Sequence, residues 1–117
     1  MEMNEVTYVG QPPVDAYGPG FFRVNEMVHE GPLAILPAAM ITWGGLNDWD
    51  AVIAERTEYD VIFIGMGADI APLPATQKTL LEKTGVPYEL MATSAACRTY
   101  NILLAEGRRV AIVALPV

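Results

Sequence analysis

The chain has 117 residues, 52 % of them hydrophobic, which fits one domain with a real core and excludes a disordered polymer. Fourteen acidic residues against seven lysines and arginines give a net charge of −7, so no nucleic-acid partner is expected. No apolar run reaches the roughly 18 residues of a transmembrane helix. The acidic opening MEMNEVTY lacks the basic start and apolar centre of a secretory signal, so a soluble, cytoplasmic protein is expected.

Residues 14 to 43 carry short β-prone runs, VDAYG, FFRV, MVHE, LAILP and AMITW, separated by Gly, Pro and Asn. That rhythm predicts antiparallel strands with turns at Gly18-Pro19-Gly20 and Asn25-Glu26 and a break at Gly31-Pro32. Trp43 and Trp49 flank a Gly-Gly turn and read as core or rim anchors. From residue 46 the period changes: Leu46, Trp49, Ile53 and Arg56 predict a helix, with Asn47 or Asp48 as its N-cap.

VIFIG at 61–65 is a continuous β-branched run, as in a strand covered on both faces. PATQKTLLEKTG predicts a helix with Pro74 at its start and Gly85 as its stop. YELMA at 88–92 reads as a second strand. A helix capped by Thr93 or Ser94 and ended by Gly107 follows, and RVAIVAL at 109–115 is a third strand. The β-α-β-α-β order predicts an α/β fold with a parallel sheet. Loops leaving the carboxyl ends of such strands form the usual ligand crevice, which gathers Gly65, Gly67, Asp69, Thr93, Ser94, Cys97 and Arg98 on one side.

The chemistry at that edge is sparse. GMGAD has no GK[ST] ending and no third glycine, so it reads as a strand-ending turn rather than a phosphate loop. Cys97 near a helix start, beside Arg98, has the setting of an activated thiolate, but its small neighbours Ala95 and Ala96 point to tight packing. Tyr100 and Asn101 lie one turn further on. Asn101 disfavours a helix interior, which predicts a specific hydrogen bond, such as one holding a neighbouring loop. Arg98, Arg108 and Arg109 together could hold one anionic group. A lone cysteine excludes an intrachain disulfide, and with His29 the only histidine, neither a metal nor a cofactor is expected.

VDAYGPGFFRVN, the isolated Trp43, GMG after VIFIG, T-x-x-A-C-R-T-Y-N from Thr93 to Asn101 and EGRRVAIVAL together resemble the Mth938-domain (DUF498) family. The resemblance runs from about residue 5 nearly to the end of the chain. It implies a three-layer α/β fold around a mixed, mostly parallel sheet, with added β structure from the N-terminal half. The family includes a mitochondrial complex I assembly factor and a vertebrate adipogenesis-associated protein. It offers no catalytic residues to carry onto Thr93, Cys97 or Tyr100. The favoured expectation is a non-enzymatic binding or assembly module with a protein partner, in a membrane-associated complex. The alternative is a small-molecule or redox site at the sheet edge built on Cys97 and Arg98.

Overall fold

A computed structural model describes residues 10–117; the acidic opening lies outside them. The β-prone runs of the N-terminal half form two antiparallel groups. In the first, β1 (Ala16–Gly18), β2 (Phe21–Val24) and β3 (Met27–Glu30) make a three-stranded sheet in that order. Its second turn is Asn25-Glu26, where both residues take positive φ, 54° and 66°, the geometry that a two-residue hairpin loop demands. Gly31, at φ 81°, then redirects the chain into β4 (Leu33–Ile35), which folds back on β5 (Met40–Thr42).

The helix expected from residue 46 is shorter than its periodicity implies: α1 runs only from Asp50 to Ala54, and neither Asn47 nor Asp48 caps it. Asp48 is engaged elsewhere. Its carboxylate accepts the Gly44 N–H at 2.8 Å, and its carbonyl accepts the Trp43 indole N–H at 2.6 Å. Residues 43–49 are thus a turn knitted around Trp43 and Trp49, both buried and packed edge to face at 5.3 Å.

The second half follows its predicted order: β6 (Val61–Gly65), α2 (Ala75–Thr84), β7 (Tyr88–Met91), α3 (Thr93–Ala105) and β8 (Val110–Ala114). Pro74 is the N-cap of α2. Gly85 closes it in the left-handed region, and Gly107 does the same beyond α3. There the Gly107 N–H reaches the Leu104 carbonyl and the Arg108 N–H the Leu103 carbonyl, the paired bonds of a glycine-terminated helix.

The large sheet has the order β5-β4-β8-β6-β7. β6 pairs in parallel with both β7 and β8; β4 pairs antiparallel with both β8 and β5, so only β4 is reversed. Alternation along the strands gives two cores. Ile62, Ile64, Ala111 and Val113 face α1, the two tryptophans and Leu81 of α2. Phe63, Val110, Ile112 and Ala114 face Ala96, Cys97 and Tyr100 of α3, together with Phe22 and Val24 of the small sheet. Three layers result. β8 sits centrally between β4 and β6, and all five of its residues are buried, which explains a run with no polar residue.

Candidate functional site

The two loops at the strand ends do meet, as parallel pairing requires. The Met66 N–H donates to Met91, the Thr93 N–H to Gly67 and the Leu115 N–H to Gly65. Thr93 completes the closure. Fully buried, its hydroxyl accepts the Gly67 N–H at 2.9 Å and donates to the Leu115 carbonyl at 2.6 Å. One hydroxyl thus spends its donor and an acceptor joining the ends of β6 and β8 to the start of α3. Gly65 permits this approach: a Cβ there would lie 2.8 Å from the Thr93 hydroxyl oxygen and 3.0 Å from its Cα. Gly67 takes φ 101°. The expected crevice at this edge is therefore closed around Gly65, Gly67 and Thr93, while Asp69 stands exposed in the loop beyond.

This arrangement corrects the expected cap. Ala92 is the N-cap of α3, and neither Thr93 nor Ser94 supplies a side-chain cap bond. Cys97 becomes the fifth residue of the helix, past the unpaired amides of its first turn. It is 4 % exposed, and burial pushes its thiol from an ordinary 9.0 up to about 11. At neutral pH it is a packed thiol rather than a thiolate.

An open hollow of about 900 Å³ lies on the flank, between α3 and the chain entering β1. Ser94, Cys97, Arg98 and Asn101 line it from the helix; Val14, Asp15, Ala16 and Tyr17 line it from the other side. Gly65, Gly67, Asp69, Thr93 and Tyr100 do not contribute to it, so the candidate residues divide between a closed junction and an open flank. Tyr100 is fully buried, and its hydroxyl donates to the Pro12 carbonyl at 2.8 Å. Burial foremost raises its pKa, against a hydrogen bond with Gln11 that lowers it. Asn101 accepts the Val14 N–H at 2.9 Å and donates to the Val14 carbonyl at 2.8 Å. The loop-holding bond expected of this asparagine is present.

The three arginines do not converge. Arg98 lines the hollow, whereas Arg108 and Arg109 follow the far end of α3, where Arg109 meets Asp60 at 3.4 Å. Seven residues of helix, roughly 10 Å, separate Arg98 from the end of α3 at Ala105, and both other arginines lie beyond that end. Val14, Asp15, Ala16, Tyr17, Ala95, Thr99 and Ile102 line the hollow without having been candidates in the sequence; the ill-fitting Asn101 is the one pointer to that side. Among the described residues, no group of three or more His, Cys, Asp or Glu side chains could hold a metal ion. No helix there is long and apolar enough to cross a membrane.

Fold and site together define a three-layer α/β protein with sealed strand ends and an open flank. The chain belongs to the family described as "Protein of unknown function (DUF498/DUF598)", whose model matches residues 14–115. It is 46 % identical to an uncharacterized protein of Rhodobacter capsulatus, over 99 % of this chain and 94 % of that one. It is 33 % identical to the NADH dehydrogenase (ubiquinone) 1 alpha subcomplex assembly factor 3 of Drosophila melanogaster over 83 % of its own length, but spans only 54 % of that factor. Among solved structures, a protein from Bartonella henselae described as an outer membrane protein superposes with a TM-score of 0.82. The match has 36 % identity and covers 92 % of this chain and 97 % of that one. A Mth938-like domain from Bordetella pertussis gives a TM-score of 0.70 at 27 % identity, covering 99 % of this chain and 92 % of that one.

Proposed function

We propose that the protein is a non-enzymatic assembly module that binds a protein partner, in the manner of the assembly factors to which it is similar. The observation carrying this reading is the 33 % identity with the fly NADH dehydrogenase assembly factor, over 108 residues. Two structural features support it. The strand-end edge, where open α/β sheets bind small ligands, is filled by Thr93 and its hydrogen bonds. Its thiol neighbour Cys97 is buried and held protonated, which disfavours a redox or nucleophilic site built on Cys97 and Arg98. What stays open is a flank with mixed polar and apolar walls, a surface suited to a protein.

The partner on this reading is a subunit of a membrane-associated NADH dehydrogenase during its assembly. Deleting the gene in its own organism and resolving membrane complexes on native gels tests the proposal. The expected result is a loss of assembled NADH dehydrogenase with subunit transcripts unchanged. An undiminished complex contradicts it.

A further inference from the structure

α2 is held far more lightly than α3. It buries one of its ten residues, Leu81, where α3 buries Thr93, Ala96, Cys97 and Tyr100. Its own chemistry adds little. Ten residues are fewer than the roughly 12–15 that sustain a helix in water, and Thr76, Thr79 and Thr84 are β-branched. No side chain caps its start, and no acidic residue stands in its first turn to meet the helix dipole. Tertiary contacts must therefore keep it in place.

Those contacts are sparse over a continuous stretch of chain. The backbone is fixed on either side, where the Gly67 carbonyl accepts the Thr93 N–H and the Pro87 carbonyl the Ile62 N–H. Between these points, two polar links join residues 68–86 to the rest of the described chain. Gln77 donates to Asn47 at 2.9 Å on the surface. Glu82 lies beside Tyr88, just past the exit, where the phenol pKa is raised by burial foremost and then by this carboxylate. Other hydrogen bonds of the stretch stay within it, as from the Lys78 N–H to Pro74 and the Val86 N–H to Leu81. Leu73, Leu81 and Val86 are its apolar anchors, packed in one core with Ile62, Ile64 and the two tryptophans. The chain before β1 enters on the other face, with Gln11 and Pro12 joined to Val110 and Tyr100.

We propose that residues 68–86 form a hinged flap, which swings off the large sheet as one unit while both sheets and α3 stay folded. Few buried apolar contacts and exposed hydrogen bonds are what local opening requires. Gly67 at φ 101° and Gly85 at φ 77° stand near the two ends, where no side chain resists a change of backbone angle. Opening releases the three anchors and uncovers the apolar face of Ile62 and Ile64. That face lies on the side of the sheet away from α3, so it is shown only in the open state and independently of the flank hollow.

Native-state hydrogen exchange of the full chain, followed by NMR through low urea concentrations, tests this. The amides of Lys78 to Thr84 and of Val86 should exchange about a hundredfold or more faster than those of β6 and β8, with one common opening constant. The urea dependence of that opening should be well below that of global unfolding. Amides in α2 as protected as those in β6 overturn the proposal. Protection that declines residue by residue from the helix ends also overturns it, because it marks fraying rather than a unit. Leu81→Ala should speed exchange from Lys78 to Val86 by about tenfold or more and leave β6 and β8 unchanged. An equal rise in β6 makes α2 part of the global unit and removes the flap. If Leu81→Ala does not fold, Gln77→Ala takes its place: the same amides should speed up together by about threefold. A change confined to residue 77 and its neighbours overturns the flap.

Discussion

Asn101 and Val14, 87 positions apart, are joined by two hydrogen bonds of 2.9 and 2.8 Å that use both peptide groups of Val14. Tyr100 beside it bonds the Pro12 carbonyl, and Gln11 reaches the Val110 carbonyl, so α3 and the strand behind it hold the whole segment entering β1. Asn101→Leu removes both bonds while keeping side-chain volume. It should cost about 2 kcal/mol through two part-buried peptide groups left without partners, measured by urea unfolding. Asn101→Asp keeps only the acceptor and should also destabilise. A cost within experimental error for Asn101→Leu would show that water replaces the carboxamide.

Thr93 gives a sharper contrast because it is fully buried. Thr93→Val deletes the hydroxyl shared by Gly67 and Leu115 and should cost about 2–3 kcal/mol, whereas Thr93→Ser keeps it and should lose about 1 kcal/mol for the missing methyl. Equal destabilisation by the two, read from denaturant midpoints, would mean that packing rather than hydrogen bonding holds the strand ends.

Gly65 and Gly67 lie in one turn yet are required for different reasons. A methyl at 65 meets the Thr93 backbone at 3.0 Å and the Ala114 Cβ at 3.1 Å, while a methyl at 67, at φ 101°, makes only an ordinary contact with the Pro116 carbonyl oxygen at 3.7 Å. Gly65→Ala should therefore cost about 2 kcal/mol or more through overpacking, and Gly67→Ala about 1 kcal/mol through backbone strain. Valine at either position should cost more than about 1 kcal/mol. Thermal melting of the alanine pair checks the order, and the reverse order would refute the close-approach account of Gly65.

Cys97 makes stability depend on alkaline pH. Its folded pKa, about 11, lies above the ordinary 9.0, so the unfolded chain releases this proton first as pH rises. The stabilisation from keeping the thiol neutral is complete below pH 9.0 and is lost as pH rises through about 11. Tyr59, pushed up to about 12, and Tyr100, raised further, act in the same direction. Titration by thiolate absorbance should find no ionisation at neutral pH, and alkylation there should be slow. A thiol ionising below its ordinary value would restore the redox reading. Cys97→Ser should fold, with reduced stability from a hydroxyl in an apolar niche.

Features set by local chemistry were legible in the sequence: VIFIG as a doubly covered strand, Gly85 and Gly107 as helix stops, Asn25-Glu26 as a hairpin turn. Each depends on φ preferences or side-chain alternation within a few residues. Asp48 and Thr93, each one of two residues expected to cap its helix, cap neither, because their cap-like chemistry serves other partners. Asp48 binds back to Gly44, and the Thr93 hydroxyl reaches Gly67 and Leu115, partners that only the folded chain supplies. The candidate site divided for the same reason. Helix starts and glycines mark the strand ends in the sequence, whereas the open surface arises where α3 meets β1, more than 70 positions away in sequence. Asn101 pointed there, but an ill-fitting asparagine does not name its partner.

The central claim is that a protein partner docks on the flank and not at the strand ends. Site-specific photo-crosslinking in living cells tests it most directly, with the reactive residue placed at Ile102 in the hollow or at Asp69 in the strand-end loop. The account predicts an adduct containing a NADH dehydrogenase subunit from position 102 and none from position 69. An adduct from position 69 alone, or none from either in cells that assemble the complex, would contradict it.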